Sequence, residues 1–440
     1  MRIPDAIFLV LMALPLVEAA ALAVLAVAGW RYRSPSAGGG GGGGTVLVAT
    51  RDEDAGLVRE CVEAAIASRA VARVVVVDDS GEEGYGELRR ALAGLEGVVL
   101  LHREVNRGFK PGALNDGLRL AAGGHVIVAD ADTRLDGFPE VAAALLASGY
   151  DAVQASTRPA RLTGLVGEAY AVATLFRDAV LAPGCAALGL PFLSGYGYAV
   201  KRGVLEEVGG WSEDTVAEDL DLSLRLAARG VKYAFLSDVA VLDEPPAAMS
   251  SFRAQQRRWM RGSVQVTLRG LRMARRPRAL AFTLVAGAFT GLLVNVAAAA
   301  SALLAPLLGA PSRLTILLAT LALDAPLALV AARVLVEARA RLGLWRAVRG
   351  MAVTMLLYNA LSPYLLLDLA AALAGRRGRW ERTAKAGAEP ARGGARAYLG
   401  PLALYAAATA AAAASAPALL PWVAGLAASA AASLALELLT

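Results

Sequence analysis

At 440 residues, of which 57% are hydrophobic, the chain is too apolar to be soluble throughout. The formal charge of +6 does not point to nucleic acid, because Arg and Lys gather beside the apolar runs, where retention on the cytoplasmic side of a membrane explains them. Two cysteines, Cys61 and Cys185, and two histidines, His102 and His125, leave no disulfide framework and little room for a zinc site or a Ser-His-Asp triad, so carboxylates must carry any chemistry.

The first element is an apolar run from Ala6 to Trp30, long enough to cross a hydrocarbon core of about 30 Å as a helix. It reads as a transmembrane helix and not a cleaved signal peptide, since only Arg2 precedes it and no small-residue cleavage site stands before Trp30-Arg31-Tyr32-Arg33. Those basic residues put its end in the cytoplasm. Gly38 to Gly44 has no side chains to pack and is expected to be a flexible tether.

Beyond the tether the pattern is strand, loop, helix, repeated. Strands are expected at 46–49, 74–77, 98–101 and 126–129, each short, apolar and β-branched, as in parallel strands buried on both faces. Helices are expected between them at 56–68, 87–95 and 113–122. This is an α/β sandwich of the nucleotide-binding kind, whose ligand sits at the carboxyl ends of the strands. Three of the four strands run there into polar groups: Thr50-Arg51-Asp52-Glu53, Asp78-Asp79-Ser80 and Asp130-Ala131-Asp132. A further helix, signalled by Ser212 to Thr215 and striped by Val216, Leu220, Leu224 and Ala227, is expected to end at Gly230.

Apolar runs return at 279–310, 314–336, 347–374 and 399–439, the last divisible at Pro417 and Pro421, for four or five further membrane segments. Arg333 to Arg349 and Arg376 to Arg379 both ask for the cytoplasm, yet one crossing between them would separate them. The run 347–374, which carries Asn359, Pro363 and Asp368, is therefore expected to be interfacial or re-entrant. The expected division is a transmembrane helix (1–33), a Gly-rich linker (34–44), a cytoplasmic catalytic domain (45–278) and a multi-helix membrane domain (279–440).

Moving a sugar from a nucleoside diphosphate needs a divalent cation against the diphosphate, a base for the acceptor hydroxyl and a grip on both substrates. Asp130 and Asp132 lie two apart at a strand end, so both lean to one side and can share a hard cation. Asp78 or Asp79 is placed against the base or ribose, although an Asx turn ending a strand looks the same. In Asn106-Arg107-Gly108-Phe109-Lys110-Pro111-Gly112-Ala113-Leu114-Asn115, the glycines let backbone approach a ligand and the cations face a diphosphate at a helix start. Glu218-Asp219 stand in a first helical turn, where the dipole alone would favour acids and keep them ionised. Gln255-Gln256-Arg257-Arg258-Trp259 offers a phosphate partner in Arg258 and a sugar-stacking ring in Trp259, or else an interfacial Trp in a basic helix.

In that order these motifs resemble glycosyltransferase family 2, in its processive branch of cellulose, mannan, chitin and hyaluronan synthases. The resemblance implies a GT-A nucleotide-sugar-binding domain inserted between transmembrane α-helices, inverting transfer, and Mg²⁺ or Mn²⁺ at Asp130 and Asp132. It makes Asp219 the catalytic base of a T-E-D motif in which this chain has Ala217 for Thr. It places the UDP- or GDP-sugar against Thr50, Arg51, Glu53, Asp78, Asp79, Lys110, Asn115, Asp130, Gln255 and Arg258. The acceptor falls to Trp259, Ser194, Gly195 and Glu218, with Phe192 to Gly197 as its loop. Trp380 to Lys385 is similar to a cytoplasmic W-x-x-T-x-K segment of mannan-synthase-like relatives. The expected protein is thus a multi-pass enzyme of the cell membrane, with a cytoplasmic catalytic domain, that extends a polysaccharide. Transfer of one sugar to a lipid or polyprenyl phosphate would use the same donor site, and an inactive nucleotide-binding domain on a scaffold or transporter is the reading from another class.

Overall fold

The computed structural model describes residues 2–36, 38, 40–162, 164–287, 289–376 and 394–439. Helix α1 (Ile3–Arg31) covers the first apolar run. The chain leaving it is stitched to the sheet domain: Tyr32 Oη donates to the Phe235 carbonyl and accepts from its N–H, both at 3.0 Å. The glycine tract is not free along its whole length, because a Cβ at Gly41 would stand 2.3 Å from the Ala143 carbonyl oxygen. Close backbone approach, as well as freedom, is a reason for glycine there.

The sheet has seven strands: β1 (Gly44–Thr50), β2 (Val71–Asp78), β3 (Val98–His102), β4 (His125–Asp130), β5 (Ala152–Pro159), β6 (Tyr198–Lys201) and β7 (Tyr233–Asp243). Their order is β3-β2-β1-β4-β6-β5-β7. The first four, all foreseen, are parallel; β6 is antiparallel to β4 and β5, while β7 is parallel to β5. Helices α2 (Ala55–Ile66), α3 (Glu82–Ala91), α4 (Phe109–Arg119) and α5 (Phe138–Ala147) connect the early strands. Helix α3 starts five residues before the expected 87, because Glu82 and Glu83 at its first turn and Arg89 and Arg90 at its last suit the helix dipole, although only Leu88 is buried. Helix α6 (Gly164–Phe176) passes through a π-helical turn, Arg177–Leu181, into α7 (Ala182–Ala187); α8 (Arg202–Glu207) and α9 (Glu218–Arg229) follow. Helix α9 ends at Gly230, as expected, there in the left-handed region, but begins after Ala217, which offers no side-chain cap, and its buried stripe includes Leu222 and Leu226.

The long α10 (Met249–Arg272) leads through α11 (Pro277–Ala286) to α12 (Thr290–Leu308), α13 (Arg313–Leu342), α14 (Leu344–Leu373), α15 (Leu399–Ser415) and α16 (Leu420–Leu439). Among the described residues six helical stretches are long and apolar enough to cross a membrane, those of α1, α12, α13, α14, α15 and α16. The segment expected to be interfacial or re-entrant is one continuous helix, α14, which has no re-entrant break. Pro363 lies inside it and cannot donate to the Asn359 carbonyl, but Tyr405 Oη does so at 2.7 Å. Asn359 also bonds Asn295 at 2.9 Å and Ser429 at 3.2 Å, so partners on neighbouring helices satisfy the polar groups without a break in this one. The segment Trp380 to Lys385, with Arg377 and Arg379, lies outside the described residues.

Helix α10 joins the two halves. Arg253, Arg257 and Arg261, four apart and so on one face, meet Glu437 (2.8 and 3.0 Å), the Tyr364 ring (3.7 Å to the centroid) and Asp368 (3.0 Å). The Arg253–Glu437 pair is almost fully buried, at 7% and 4% side-chain exposure. Removing one partner of such a pair leaves an uncompensated charge, so Glu437→Ala is expected to destabilise by about 3–5 kcal/mol. The joint change Arg253→Met/Glu437→Leu is expected to recover most of this; thermal unfolding in detergent measures both.

Candidate active site

Strands β1, β2 and β4 end side by side on one edge, and the loops beyond them wall a cavity of about 600 Å³. Of the residues named from the sequence, Thr50, Arg51, Glu53, Asp79, Lys110, Asp130, Asp132, Ser194, Gly195, Glu218, Asp219, Gln255, Arg258 and Trp259 all line it. Motifs up to 209 positions apart, from Thr50 to Trp259, therefore share one space.

Lys110 is its centre. Gly108, left-handed at φ 69°, caps α4 and delivers Lys110 in the first turn. Its Nζ lies 2.5 Å from Asp130 Oδ1, donates to the Gly195 carbonyl at 3.0 Å, and stands 3.7 Å from Glu218 Oε1. Burial pulls this ammonium down, but Asp130 and Glu218 outweigh it, and the group is held above its ordinary value, charged.

Burial pushes Glu218 up to about 7, with the Asp219 charge adding and Lys110 opposing. Asp219 is raised by the same burial, against a bond from the Leu220 N–H to its Oδ1 at 2.8 Å. The expected ionisation by the helix dipole does not prevail here: desolvation of two adjacent acids exceeds what a helix start contributes. Asp132 Oδ2 accepts from the Glu244 N–H at 3.2 Å.

Two expected residues stand off the cavity. Asp78 is fully buried, its Oδ1 accepting from Ser80 Oγ at 2.6 Å and its Oδ2 lying 2.8 Å from His102 Nδ1. Asn115 turns away and grips the Trp211 backbone, donating to its carbonyl at 2.8 Å and accepting from its N–H at 2.9 Å. Of the two acids at the end of β2, Asp79, although clamped by Arg103, lines the cavity, and Asp78 does not.

The family model described as "Glycosyltransferase like family 2" matches residues 43–262, half of the chain. The chain belongs to this family. A probable glucomannan 4-beta-mannosyltransferase 11 of Arabidopsis thaliana is 45% identical over 58 residues, 13% of each protein. A probable glycosyltransferase of Sulfolobus acidocaldarius is 30% identical over 206 residues, 44% of this chain and 43% of that protein. The matches thus span less than half the length of these curated relatives. Among solved structures, the mannosyltransferase PcManGT from Pyrobaculum calidifontis, in complex with GDP-Man and Mn²⁺, is 23% identical with a TM-score of 0.55, covering 80% of this chain and 99% of that one. The sheet domain is a GT-A fold.

Two residues around the family 2 site, Arg103 and Asp243, belong to none of the motifs read from the sequence. Arg103, 9% exposed, binds both oxygens of Asp79 at 2.6 Å and reaches the Arg107 and Phe109 carbonyls at 3.0 and 3.2 Å, which shapes the loop before Lys110. With its amide turned to suit its neighbours, Asn106 donates to Asp79 and accepts from Arg51. Asp243, at the end of β7, accepts from the Tyr170 and Tyr196 hydroxyls and lines the cavity. A buried-strand pattern at 233–236 was the only signal available for it.

Among the described residues no group of three or more His, Cys, Asp or Glu is placed to hold a metal ion. Two carboxylates on one wall nevertheless fit a hard cation that takes its remaining ligands from phosphate and water, as Mg²⁺ does. The titration of the acidic pair gives a checkable consequence. A raised carboxylate is protonated below its pKa and ionised above it, so kcat/KM for transfer is expected to fall as pH drops through about 7, as one limb belonging to Glu218 and Asp219 together. Lys110→Met removes the charge that opposes the rise and should move that limb to higher pH, as seen in a pH series of initial rates.

Proposed function

We propose that this family 2 glycosyltransferase is a multi-pass protein of the cell membrane that transfers a sugar, with inversion, from a nucleoside diphosphate donor onto a growing glycan. The observation that carries the reading is the Lys110 ammonium between Asp130 and Glu218, with Asp219 beside it, over a single cavity. The division into an anchor (1–33), a linker (34–44), a cytoplasmic catalytic domain (45–278) and a membrane domain (279–440) is part of the proposal, supported by the six long apolar helices.

The donor is a UDP- or GDP-sugar, in keeping with the GDP-Man held by the solved neighbour from Pyrobaculum calidifontis. Asp79 and Arg51 take its nucleoside end and Arg258 its diphosphate. Asp130 and Asp132 would hold Mg²⁺ or Mn²⁺, which when bound supplies positive charge against the leaving diphosphate. The acceptor oxygen forms a bond to the anomeric carbon as the bond to the diphosphate breaks, and its proton passes to the Asp219 carboxylate. The Lys110 charge favours the ionised form of that carboxylate, against the burial that raises it. Trp259, 36% exposed on the cavity side of α10, offers a face on which the acceptor sugar stacks.

A second reading, transfer to a lipid-linked acceptor, is favoured by one observation. The cavity continues between α13 and α14, where Leu327, Val330, Val334, Met351 and Met355 wall it with hydrocarbon. Such a wall suits an acyl or prenyl tail better than a chain of sugars.

In lipid nanodiscs with GDP-mannose, UDP-glucose and UDP-N-acetylglucosamine, Asp219→Asn is expected to abolish transfer while leaving metal-dependent nucleotide binding near normal. Normal transfer by that variant and by Glu218→Gln would refute the base assignment. Asp132→Asn, or EDTA, should nearly abolish turnover, and Trp259→Ala should suppress product elongation more than donor hydrolysis. Alcohol-precipitable product supports the glycan reading, solvent-extractable product the lipid reading, and release by alkaline carbonate overturns the membrane one.

A further inference from the structure

A second concave surface lies away from the catalytic cavity, where the C-terminal ends of α9 and α10 meet the start of α11. Its volume is about 610 Å³, and five arginines, Arg225, Arg229, Arg272, Arg275 and Arg276, line it against one acid, Glu207. Glu207 is already held by Arg229. Arg225 pairs with Asp221 at 2.8 Å, yet its buried Nη2 has no hydrogen-bond acceptor among the described residues. Arg272, Arg275 and Arg276 are exposed, and the Arg276 side chain reaches the Ala228 carbonyl at 3.4 Å.

Retention of positive charge beside a membrane needs arginines on the near side, but not five of them lining one hollow that holds a single acid. That combination calls for an anion. Two features put this anion on a lipid. Leu271, in the same turn as Arg272, is 53% exposed, and the arginines lead within one residue into α11, whose apolar stretch includes Leu284 at 39% exposure. Basic side chains flanked by exposed leucines match a surface lying at a headgroup layer, whereas a soluble phosphate gives the leucines nothing to enter.

We propose that this hollow is a binding site for the phosphate headgroup of an anionic phospholipid. The site ties the far end of α9, which begins at Glu218 and Asp219, to the far end of α10, which carries Trp259. The lipid is thus an attached ligand at the base of both helices that wall the active site. The inference rests on the membrane reading above, whose own test, resistance to carbonate extraction, is separate, so failure here leaves that reading standing.

The test is thermal unfolding of the full chain in an uncharged detergent, titrated with dioctanoyl phosphatidylglycerol, dioctanoyl phosphatidylcholine or inorganic phosphate. A ligand that binds the folded state raises the unfolding temperature in a saturable way. Phosphatidylglycerol should do so and the other two should not. At roughly fivefold per basic side chain, Arg272→Gln/Arg276→Gln should weaken the apparent affinity about 25-fold, while Arg272→Lys/Arg276→Lys retains it. The pair Arg31→Gln/Arg339→Gln, exposed arginines elsewhere, should bind like the parent. The unfolding temperature without lipid shows that each variant is folded; should the Gln pair not fold, Arg275→Gln alone replaces it, with about a fivefold loss expected. An equal response to phosphatidylcholine or phosphate, an undiminished response in the folded hollow variant, or an equal loss in the control pair would overturn the site.

Discussion

The arrangement of this site depends on one buried ammonium. Lys110 stands between the carboxylate that ends β4 and the one that opens α9, and holds the 194–195 loop by a backbone bond. Three acids crowd that space, and burial raises both Glu218 and Asp219, so a positive charge among them is what makes a chargeable pair tenable. Lys110 in turn is placed by its loop. Gly108 supplies the left-handed entry to α4, and Arg103 binds two carbonyls of that loop while clamping Asp79. The donor-side acid of β2 and the centre of the cavity are therefore positioned by one network.

A second constraint comes from the apolar helices. Helix α10 presents arginines to Glu437, Tyr364 and Asp368 on one face, and Gln255, Arg258 and Trp259 to the cavity on another. Glu168 of α6 is held by Arg349 of α14 at 2.6 Å, and the π-helical turn after α6 brings Asp178 to the backbone N–H of Thr157 at 2.7 Å, in β5. Ion pairs of this kind, well bonded but costly to desolvate, specify geometry more than they add stability. The catalytic edge and the helical bundle thus share a wall, and the cavity extends between α13 and α14.

Much of this was readable in order along the chain. The four parallel strands, the polar residues at their ends, the Asp130–Asp132 pair and the Glu218-Asp219 turn follow from local periodicity and from the chemistry that strand ends allow. The partners of individual polar groups were not readable. Asp78 and Asp79 are adjacent and identical in type, yet one is sealed by Ser80 and His102 and the other faces the cavity, because the side-chain period of two in a strand sends neighbours to opposite sides. Asn115 sits in a convincing pattern, but Trp211, 96 residues later, claims its amide. The polar residues of α14 look like a break only until Asn295, Tyr405, Ser429 and Arg261 arrive from other helices.

By itself, then, the sequence determined the fold class, the apolar spans, and which stretches of chain converge on one sheet edge, since these depend on short-range patterns of burial and on the positions of carboxylates and glycines. Tertiary structure alone decided which of those polar groups face the cavity, which are consumed as braces, and in which state of charge they stand. The reason is physical. Desolvation and ion pairing depend on what packs over a group, and for Lys110, Asp219 and Arg253 the covering residues come from distant parts of the chain.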